Sequence, residues 1–320
     1  MTTVLITAIG GDIAQSVARL VRLSIPDFRL IGTDIDTEHG GSLFVDELMQ
    51  VPAAGSLDYT AAMTTIIDKE SVNYVIPMSE AELGVLLPLI ATPQRVRWIT
   101  AGAQVIKAGI DKLETMRALE HMHIPVPWTI PVGVGSPRAF PCIIKDRTGS
   151  GSRGVYTVND DEDARYLAAR HPSAVFQELL QPANREVTCA VYRAADGRVA
   201  TLQMRRRLIG GFTGWAVIID EPAIAKICEQ VAIQLDLRGA MNIQLRLTDD
   251  GPRIFEINPR YSSTVYMRHE IGFTDVVWAF DELRGRRIDF PRIPAGTIIV
   301  RTQGAAVIPP PRTLTTRTAT

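Results

Sequence analysis

The stretch RIFEINPRYSST, residues 253–264, combines the pattern of a β-strand with an unusual set of polar side chains. Its strand pattern comes from the apolar residues Ile254, Phe255 and Ile257. An acid, an amide and a guanidinium occur at every second position, namely Glu256, Asn258 and Arg260. Successive side chains of a strand point to opposite faces. We therefore expect Phe255 and Ile257 to face the core and Glu256 and Asn258 to share the other face.

The preceding segment supplies a partner for this strand. Residues 241–248 alternate apolar and polar side chains, with Gln244 on the polar face. If the two strands form a hairpin with an odd-numbered loop, Gln244 lies beside Glu256 and Asn258. Three oxygen-bearing side chains on one face suit a hard divalent cation such as Mg²⁺, which keeps its other positions for water or phosphate oxygens. The solvated face of an edge hairpin is the alternative interpretation.

A glycine-rich loop lies upstream, in PCIIKDRTGSGSRGVYTV, residues 141–158. A buried strand ends in Lys145, and a second strand follows the loop. The small residues of the loop are Gly149, Ser150, Gly151, Ser152 and Gly154. Such residues let backbone N–H groups close on phosphate oxygens, and the lysine adds positive charge. The order strand–loop–strand differs from both the Walker P-loop and the Rossmann fingerprint. A flexible hairpin turn is the alternative.

Composition narrows the class of protein. The 320 residues exceed one small domain, and 46% hydrophobic against 22% charged residues support a large core. A net charge of −1 without a basic block argues against nucleic acid as a partner. The apolar runs are too short to span a membrane, and the N-terminus has no signal-peptide pattern. Three widely spaced cysteines fit a reducing compartment, so we expect a cytoplasmic protein.

The pattern of elements changes along the chain. Residues 1–104 alternate short apolar strands with amphipathic helices, which predicts an α/β domain with a doubly wound parallel sheet. A helix that begins near Asp111 opens a second region in which strands dominate, typical of the α+β class. We expect domain boundaries at 1–104, 105–181, 182–308 and a tail at 309–320.

The ordered motifs resemble the ATP-grasp superfamily. These motifs are Lys145 with GSGSRGV, the downstream FQELL followed by Glu186, and the closing FEINPR. The likeness extends over nearly the whole chain and is nearest to the branch of carbamoyl-phosphate synthetase and biotin carboxylase. It implies a pre-ATP-grasp domain at 1–104, a small lobe with the glycine-rich loop at 105–181, and a C-terminal lobe with a metal site at 182–308. ATP would bind between the two lobes.

The resemblance also implies roles for residues at the phosphates. Lys112, in the Asp111-Lys112 pair that resembles the start of the grasp fold, would contact phosphate, although a surface helix start is the alternative. Lys145 would neutralise the α- and β-phosphates. The loop residues Ser150, Gly151 and Ser152 would cover the phosphates and donate hydrogen bonds.

Further positions match the nucleoside and the metal. The segment Gln177, Glu178, Leu179 and Leu180 resembles the hinge whose backbone reads the adenine edge. Glu186 resembles the acid that accepts both ribose hydroxyls, with a surface strand acid as the alternative. Gln244, Glu256 and Asn258 match the metal positions, and Arg260 matches the arginine that faces the transferred phosphoryl group. Many relatives have two acids at the metal site, whereas Gln244 stands here in place of one. The carbamoyl-phosphate synthetase branch also has glutamine at this position, so the resemblance still implies two Mg²⁺ ions.

The implied activity is that of a ligase. ATP, with two Mg²⁺ ions for which Mn²⁺ can substitute, would phosphorylate a small-molecule carboxylate, and an amine would displace phosphate to form an amide. A carboxylase or carbamoyl-phosphate-synthetase-like activity, a kinase activity and a non-catalytic nucleotide-binding protein are the alternatives. A dinucleotide-dependent dehydrogenase is disfavoured because the N-terminal TAIGGDIAQ lacks the spacing G-x-G-x-x-G. A homodimer is the base-rate expectation for the assembly.

A basic cluster at 205–207 offers further candidates. Strand periodicity places Arg205 and Arg207 on one face, where both would bind a carboxylate or a phosphate and take part in catalysis. An exposed strand face is the alternative. The glycine-rich segment 210–215 that follows is a candidate for a loop that closes over substrate.

Overall fold

The computed structural model describes residues 1–93, 95–149, 154–302 and 304. The N-terminal part forms a five-stranded sheet in which every pair of neighbours is parallel, as the sequence predicts. The strands are β1 (Thr2–Thr7), β2 (Phe28–Asp34), β3 (Glu47–Gln50), β4 (Tyr74–Ile76) and β5 (Arg97–Trp98). Their order across the sheet is β3-β2-β1-β4-β5.

Helices cover both faces of this sheet: α1 (Asp12–Ser24), α2 (Tyr59–Lys69) and α3 (Glu80–Ala91). The strands alternate their buried side chains between the faces, because both faces are covered. Val4 and Ile6 pack with α1, whereas Leu5 packs with α2 and α3. Asp12 is the first residue of α1, and Gly11 takes the N-cap position.

Residues 129–178 form a four-stranded antiparallel sheet, the small lobe, with the order β6-β9-β7-β8. Its elements are β6 (Thr129–Pro131), β7 (Cys142–Asp146), β8 (Val155–Val158), α6 (Asp161–Arg170) and β9 (Ala174–Glu178). Helix α6 begins where the Asp160 carboxylate accepts hydrogen bonds from the N–H groups of Glu162 and Asp163, both at 2.9 Å. This lobe has its own small hydrophobic core.

The large lobe is a six-stranded sheet with antiparallel neighbours. Its strands are β10 (Glu186–Arg193), β11 (Val199–Ile209), β12 (Phe212–Ile219), β13 (Gly239–Thr248), β14 (Gly251–Asn258) and β15 (Ile298–Val300). Their order is β14-β13-β10-β11-β12-β15. The parallel N-terminal sheet and the two antiparallel sheets together form the expected α/β fold with an α+β C-terminal part.

The two faces of the large sheet have different neighbours. The remaining helices are α4 (Ala103–Gly109), α5 (Lys112–His121), α7 (Pro222–Gln234), α8 (Val265–His269) and α9 (Asp275–Leu283). Cys189 and Val191 of β10 face a core that contains residues of α4, α5 and α7. Ala190 and Tyr192 face the opposite way and share one core with the N-terminal domain. The N-terminal domain does not cover the whole of this second face. The uncovered end, which includes Glu186 and Gln244, faces the small lobe.

Within the described ranges, no helix has the length and apolar character that a membrane span requires.

Candidate active site

A cleft lies between the small lobe and the large sheet. The small lobe and the start of α5 contribute Lys112, Ile143, Lys145, Asp146, Gly149, Val155 and Gln177–Leu180. The large sheet contributes Glu186, Arg206, Leu208, Gln244, Arg246, Phe255 and Glu256. The cleft therefore brings together most of the residues that the sequence predicted at a nucleotide site. Apolar side chains line one part of it and charged side chains another.

Lys145 crosses from the small lobe to the large one. It lies near the end of β7, and its Nζ donates to the Phe255 carbonyl oxygen of β14 at 3.2 Å. The side chain is only 4% exposed. This burial lowers the pKa of Lys145 to about 8, although the nearby Glu256 carboxylate opposes the shift. The predicted meeting of Lys145 and Glu256 in one cleft is therefore present.

Lys112 lies at the first turn of α5, where Asp111 caps the helix. The Asp111 carboxylate accepts from the Leu113 N–H at 2.9 Å and forms an ion pair with Arg147. Burial alone would raise the pKa of Asp111, but these hydrogen bonds hold it below its usual value. The Lys112 Nζ then reaches the Gly149 carbonyl oxygen at 2.6 Å. Its position is thus at the base of the glycine-rich loop, in the cleft and not on an open helix surface.

The loop residues Ser150, Gly151 and Ser152 lie outside the described residues. Their predicted contacts with phosphate stay a prediction. Gly149 and Gly154, which border the undescribed segment, have φ of 92° and 74°. These left-handed conformations are easily reached by glycine and seldom by other residues.

Glu256 reaches the cleft through a β-bulge. The expectation of an odd-numbered loop is wrong, because Thr248 pairs with Gly251 and only two residues connect β13 to β14. The register shifts between Gln244 and Leu245, so that Gln244 pairs with Glu256. The extra residue is Phe255, which lines the cleft beside Glu256 and, contrary to the prediction, does not face the core. A bulge puts two consecutive residues on one side of a strand. The extra residue shifts the register by one, so Gln244 and Glu256 are paired although the connecting loop has only two residues.

Asn258 follows Glu256 on the same strand and is opposite Asn242 in the register. It is buried and is not among the residues that line the cleft. Its Nδ2 has no hydrogen-bond partner among the described residues. The Asn258 side chain therefore has a buried hydrogen-bond donor without an acceptor, two residues from Glu256.

Glu186 is clamped by two arginines. Arg206 donates to Glu186 Oε1 through Nε at 2.9 Å and through Nη2 at 2.6 Å. Arg246 donates to Glu186 Oε2 at 2.8 Å and to the Leu180 carbonyl oxygen at 3.1 Å. The same Arg206 Nη2 is 2.7 Å from Gln244 Oε1. Glu186 thus lines the cleft as a fixed carboxylate, which removes the interpretation of a surface strand acid.

The basic cluster at 205–207 requires a correction. Arg206 on β11 forms an ion pair with Glu186 on the neighbouring strand β10, on the sheet face that lines the cleft. Arg205 is opposite Val187, and both lie on the other face. Arg205 and Arg207 are exposed, and Arg207 stacks over Trp215 at 4.9 Å. Their predicted common face is observed, but it points away from the cleft. Arg206, which was not among the predicted site residues, takes the cleft position.

The segment 177–180 crosses from the small lobe to the cleft wall. Gln177 is in the ladder of β9, and its Nε2 donates to Thr129 Oγ1 at 2.9 Å. The Glu178 N–H donates to the Trp128 carbonyl oxygen, and the Glu178 carboxylate accepts from Arg253 at 2.9 Å. Leu179 and Leu180 lie beyond the end of β9, so their backbone groups are outside the ladder. These two residues suit the predicted adenine contact better than Gln177.

Arg260 does not reach the cleft described above. Its Nη2 pairs with Glu80 Oε1 at 2.9 Å, and both side chains are 10% exposed. Burial raises the pKa of Glu80, and the charge of Arg260 partly offsets this shift. The nearby Glu256 carboxylate raises the pKa further, whereas the Lys112 ammonium lowers it. Glu80, at the N-terminus of α3, therefore brings the N-terminal domain into the same group of charges. Glu80 was not predicted as a site residue from the sequence. The available signal was Ser79, a typical N-cap residue, followed by acidic residues in the first turn of the helix.

The N-terminal Gly10-Gly11 turn is closed by the protein's own side chains. The Gly10 N–H donates to Asp34 Oδ2 at 2.7 Å, and a Cβ atom at Gly10 would lie 2.6 Å from the His39 ring. In a dinucleotide site this turn approaches a pyrophosphate, and the acid binds a ribose. Since Asp34 and His39 occupy that space, the geometry disfavours the dehydrogenase alternative.

The residues fit one divalent ion better than two. Among the residues that the structure describes, no side chain forms a hydrogen bond or ion pair with the Glu256 carboxylate, which lines the cleft. Such a carboxylate suits a Mg²⁺ ion that keeps its own waters. Asn258 would contribute its Oδ1 atom to that ion, since its unpaired Nδ2 is a hydrogen-bond donor. A second ion at Gln244 would lie against the Arg206 guanidinium, which donates to Gln244 Oε1 and would repel a dication. The expectation of two ions stays a prediction.

Comparison with known proteins gives independent results. A family model described as "ATP-grasp in the biosynthetic pathway with Ter operon" matches residues 171–304. The chain is 27% identical over 208 residues to a D-alanine–D-alanine ligase of Mycobacterium sp. (strain KMS), covering 54% of this chain and 55% of that protein. It is 28% identical over 199 residues to the D-alanine–D-alanine ligase of Mycobacterium leprae (strain TN), covering 51% and 52%. The chain spans about half the length of the curated relatives it matches.

Solved structures share the fold over more of the chain. N5-carboxyaminoimidazole ribonucleotide synthetase from Thermus thermophilus superposes with a TM-score of 0.71 at 18% identity, covering 89% of this chain and 79% of that one. Biotin carboxylase from Campylobacter jejuni superposes with a TM-score of 0.67 at 14% identity, covering 90% and 72%. The family model and the curated relatives agree with the family resemblance noted in the sequence, and the solved structures agree with the fold. Residues 171–304 thus match an ATP-grasp family model, and the chain as a whole is similar in fold to the two enzymes named above.

Proposed function

We propose that the protein is an ATP-dependent carboxylate–amine ligase. The observation that carries the proposal is the convergence of Lys145 and Glu256 from opposite lobes on one cleft. Lys112 enters the same cleft from the start of α5. A triphosphate needs cationic groups on one side and an ion-binding carboxylate on the other, and this cleft offers both.

The cleft suits a nucleotide along its whole length. The apolar walls at Ile143, Leu180 and Leu208 accommodate a flat base, and backbone groups of Leu179 and Leu180, which lie beyond the ladder of β9, would contact its edge. Glu186 presents a carboxylate to a ribose, held in place by its two arginines. Lys112 and Lys145 would then lie at the phosphates. Mg²⁺ held by Glu256 and Asn258 would neutralise phosphate charge when bound.

In the proposed reaction, an oxygen of a small-molecule carboxylate attacks the γ-phosphorus of ATP, and ADP leaves. The product is an acyl phosphate, whose carbonyl carbon is attacked by the nitrogen of an amine. Phosphate leaves as the amide forms, and the amine loses a proton. The protein contributes position and charge to these steps and needs no nucleophile of its own.

The acceptor site is proposed at the junction of Arg260 and Glu80. Arg260 follows the strand that carries Glu256, and Glu80 begins the helix that the N-terminal domain presents there. The pair offers one cation for a carboxylate and one anion for an amine, which is the charge pattern of the two substrates. The relatives named as D-alanine–D-alanine ligases join two molecules of this kind, which supports the class without fixing the substrate.

A screen of phosphate release tests the proposal. Purified protein is incubated with MgATP and pairs of amino acids, and phosphate and coupled product are measured together. We expect release that requires both a carboxylate and an amine, and a fall of about 100-fold or more in Lys145→Ala and Glu256→Gln, as for loss of a preorganised charge contact. Arg207→Gln, on the far face, should behave as wild type. ADP formed without free phosphate, with the phosphoryl group kept on one substrate, would indicate a kinase instead. Phosphate release that needs bicarbonate in place of the carboxylate substrate would indicate a carboxylase.

A further inference from the structure

We propose that the Arg206 guanidinium takes the place of a second divalent ion at Gln244, so that the cleft binds its nucleotide with one divalent ion per chain. This inference rests on the proposed nucleotide-binding function. It assigns a role to a residue outside the motifs of the sequence.

Three hydrogen bonds fix the Arg206 guanidinium. Nη2 donates to Gln244 Oε1 at 2.7 Å and to Glu186 Oε1 at 2.6 Å, and Nε donates to the same Glu186 oxygen at 2.9 Å. The side chain is 9% exposed. A planar, permanently charged group is thus held between the carboxylate expected at the ribose and the amide expected at the metal.

This arrangement disfavours a metal ion on Gln244. The oxygen that would bind the ion already accepts a short hydrogen bond from a cation. The amide has no charge to offset the repulsion between that cation and a dication in a partly buried site. Glu186, the nearest carboxylate on this side, is neutralised by Arg206 and Arg246. Glu256 is left as the carboxylate of the described cleft with no side-chain hydrogen bond or ion pair.

Arg206 retains donors for a phosphate. A guanidinium has five N–H groups, of which three are used in the bonds above. Among the described residues, no acceptor takes the two N–H groups of Nη1. Since Arg206 lines the cleft on the same sheet face as Gln244, these groups are available to phosphate oxygens, with which arginine forms strong charge-assisted hydrogen bonds.

Counting metal ions tests the proposal. Mn²⁺ bound by the protein with the ATP analogue AMP-PNP is measured from the free Mn²⁺ signal in electron paramagnetic resonance, and bound AMP-PNP is measured in the same sample. We expect one Mn²⁺ per AMP-PNP in the wild type. The double variant Arg206→Gln/Gln244→Glu removes the guanidinium and places a carboxylate at position 244. It should therefore bind a second Mn²⁺ ion. Two Mn²⁺ ions per AMP-PNP in the wild type would overturn the proposal.

The affinity for ADP in the presence of EDTA gives a readout that needs no metal. Loss of a charge-assisted hydrogen bond in Arg206→Gln should weaken ADP binding by about 10- to 100-fold. Arg205→Gln removes the same charge from the opposite face and is the matched control, with ADP binding unchanged. Equal ADP affinity in both variants would contradict the role of Arg206. Failure of the wild type to bind AMP-PNP at all would refute the proposed function itself.

Discussion

At the scale of single residues, Lys145 combines nearly complete burial with a contact to the opposite lobe. Its pKa of about 8 lies below the ordinary lysine value of 10.5 because burial penalises the charged form. Between these two values the unfolded chain holds the proton and the folded chain does not. Stability is therefore expected to rise with pH across that window, since the unfolded state binds more protons there. The cost of the buried charge is present below a pH of about 8, where the charge is needed.

The same pKa predicts how nucleotide binding depends on pH. ADP affinity should be constant below a pH of about 8 and fall as Lys145 loses its proton, at most about tenfold per pH unit for one group. Lys145→Arg keeps its charge throughout this range and should remove the fall, because the guanidinium stays protonated. Isothermal titration with ADP from about pH 6.5 to about pH 9.5 measures both profiles on either side of the lysine pKa. Parallel profiles in the two proteins would show that another group is responsible.

The sequence predicted some of these residues and not others for a physical reason. Lys145 and Glu256 belong to motifs whose order along the chain is informative. Strand periodicity correctly separated Arg206 from Arg205 and Arg207, but periodicity alone does not say which face is the cleft. That choice depends on the register with β10, where Val187 is opposite Arg205, so that Arg206 shares the face of Glu186. The register is set by the pairing of distant segments, which periodicity within one strand does not reveal.

At the scale of elements, the hairpin of β13 and β14 shows how a local irregularity determines the site. Two residues join the strands, and a bulge at Phe255 restores the pairing of Gln244 with Glu256. The sequence carries a trace of it, because the core residues Ile254 and Ile257 are three positions apart and not two. Strict alternation hides such a bulge. Phe255 was therefore placed in the core, although it supplies a cleft wall and a carbonyl oxygen for Lys145.

Helix α3 positions the other acid of the junction. A buried network anchors its first turn, in which Glu82 accepts from Thr7 Oγ1 at 2.6 Å and from the Tyr59 hydroxyl at 2.8 Å. Glu80, two residues earlier, is thereby held against Arg260. The alternation of strands and helices in residues 1–104 predicts helices in this part of the chain. The contact of Glu80 with a residue 180 positions away depends instead on the packing of the domains.

A double-mutant cycle tests whether Glu80 and Arg260 act as one unit. We expect Arg260→Ala and Glu80→Ala each to lower kcat by about 100-fold, as loss of a preorganised charge does, with little change in the KM for ATP. The kcat of the double variant should be about as low as that of the less active single variant, because the effects of groups that act as a unit are not additive. Steady-state kinetics on the coupled product measures all three. Additive losses would show that the two residues act independently.

At the scale of the whole molecule, three units surround one group of charges. The large sheet supplies Glu256 and Arg260, the small lobe supplies Lys145, and the N-terminal domain supplies Glu80. The N-terminal domain shares a hydrophobic core with the large sheet, so its position at the junction is fixed by packing. The parallel sheet and the lobes were predictable from periodicity and motif order. The shared core was not, because it depends on contacts between distant segments.

The most direct test of the proposed nucleotide site is a crystal structure with AMP-PNP and Mg²⁺. We predict the nucleotide in the cleft, with its base against Leu179 and Leu180, and its phosphates between Lys145 and Glu256. One divalent ion should lie at Glu256, with Arg206 against a phosphate oxygen. A nucleotide bound at the Gly10-Gly11 turn, or one whose phosphates lie away from both Lys145 and Glu256, would contradict the central claim.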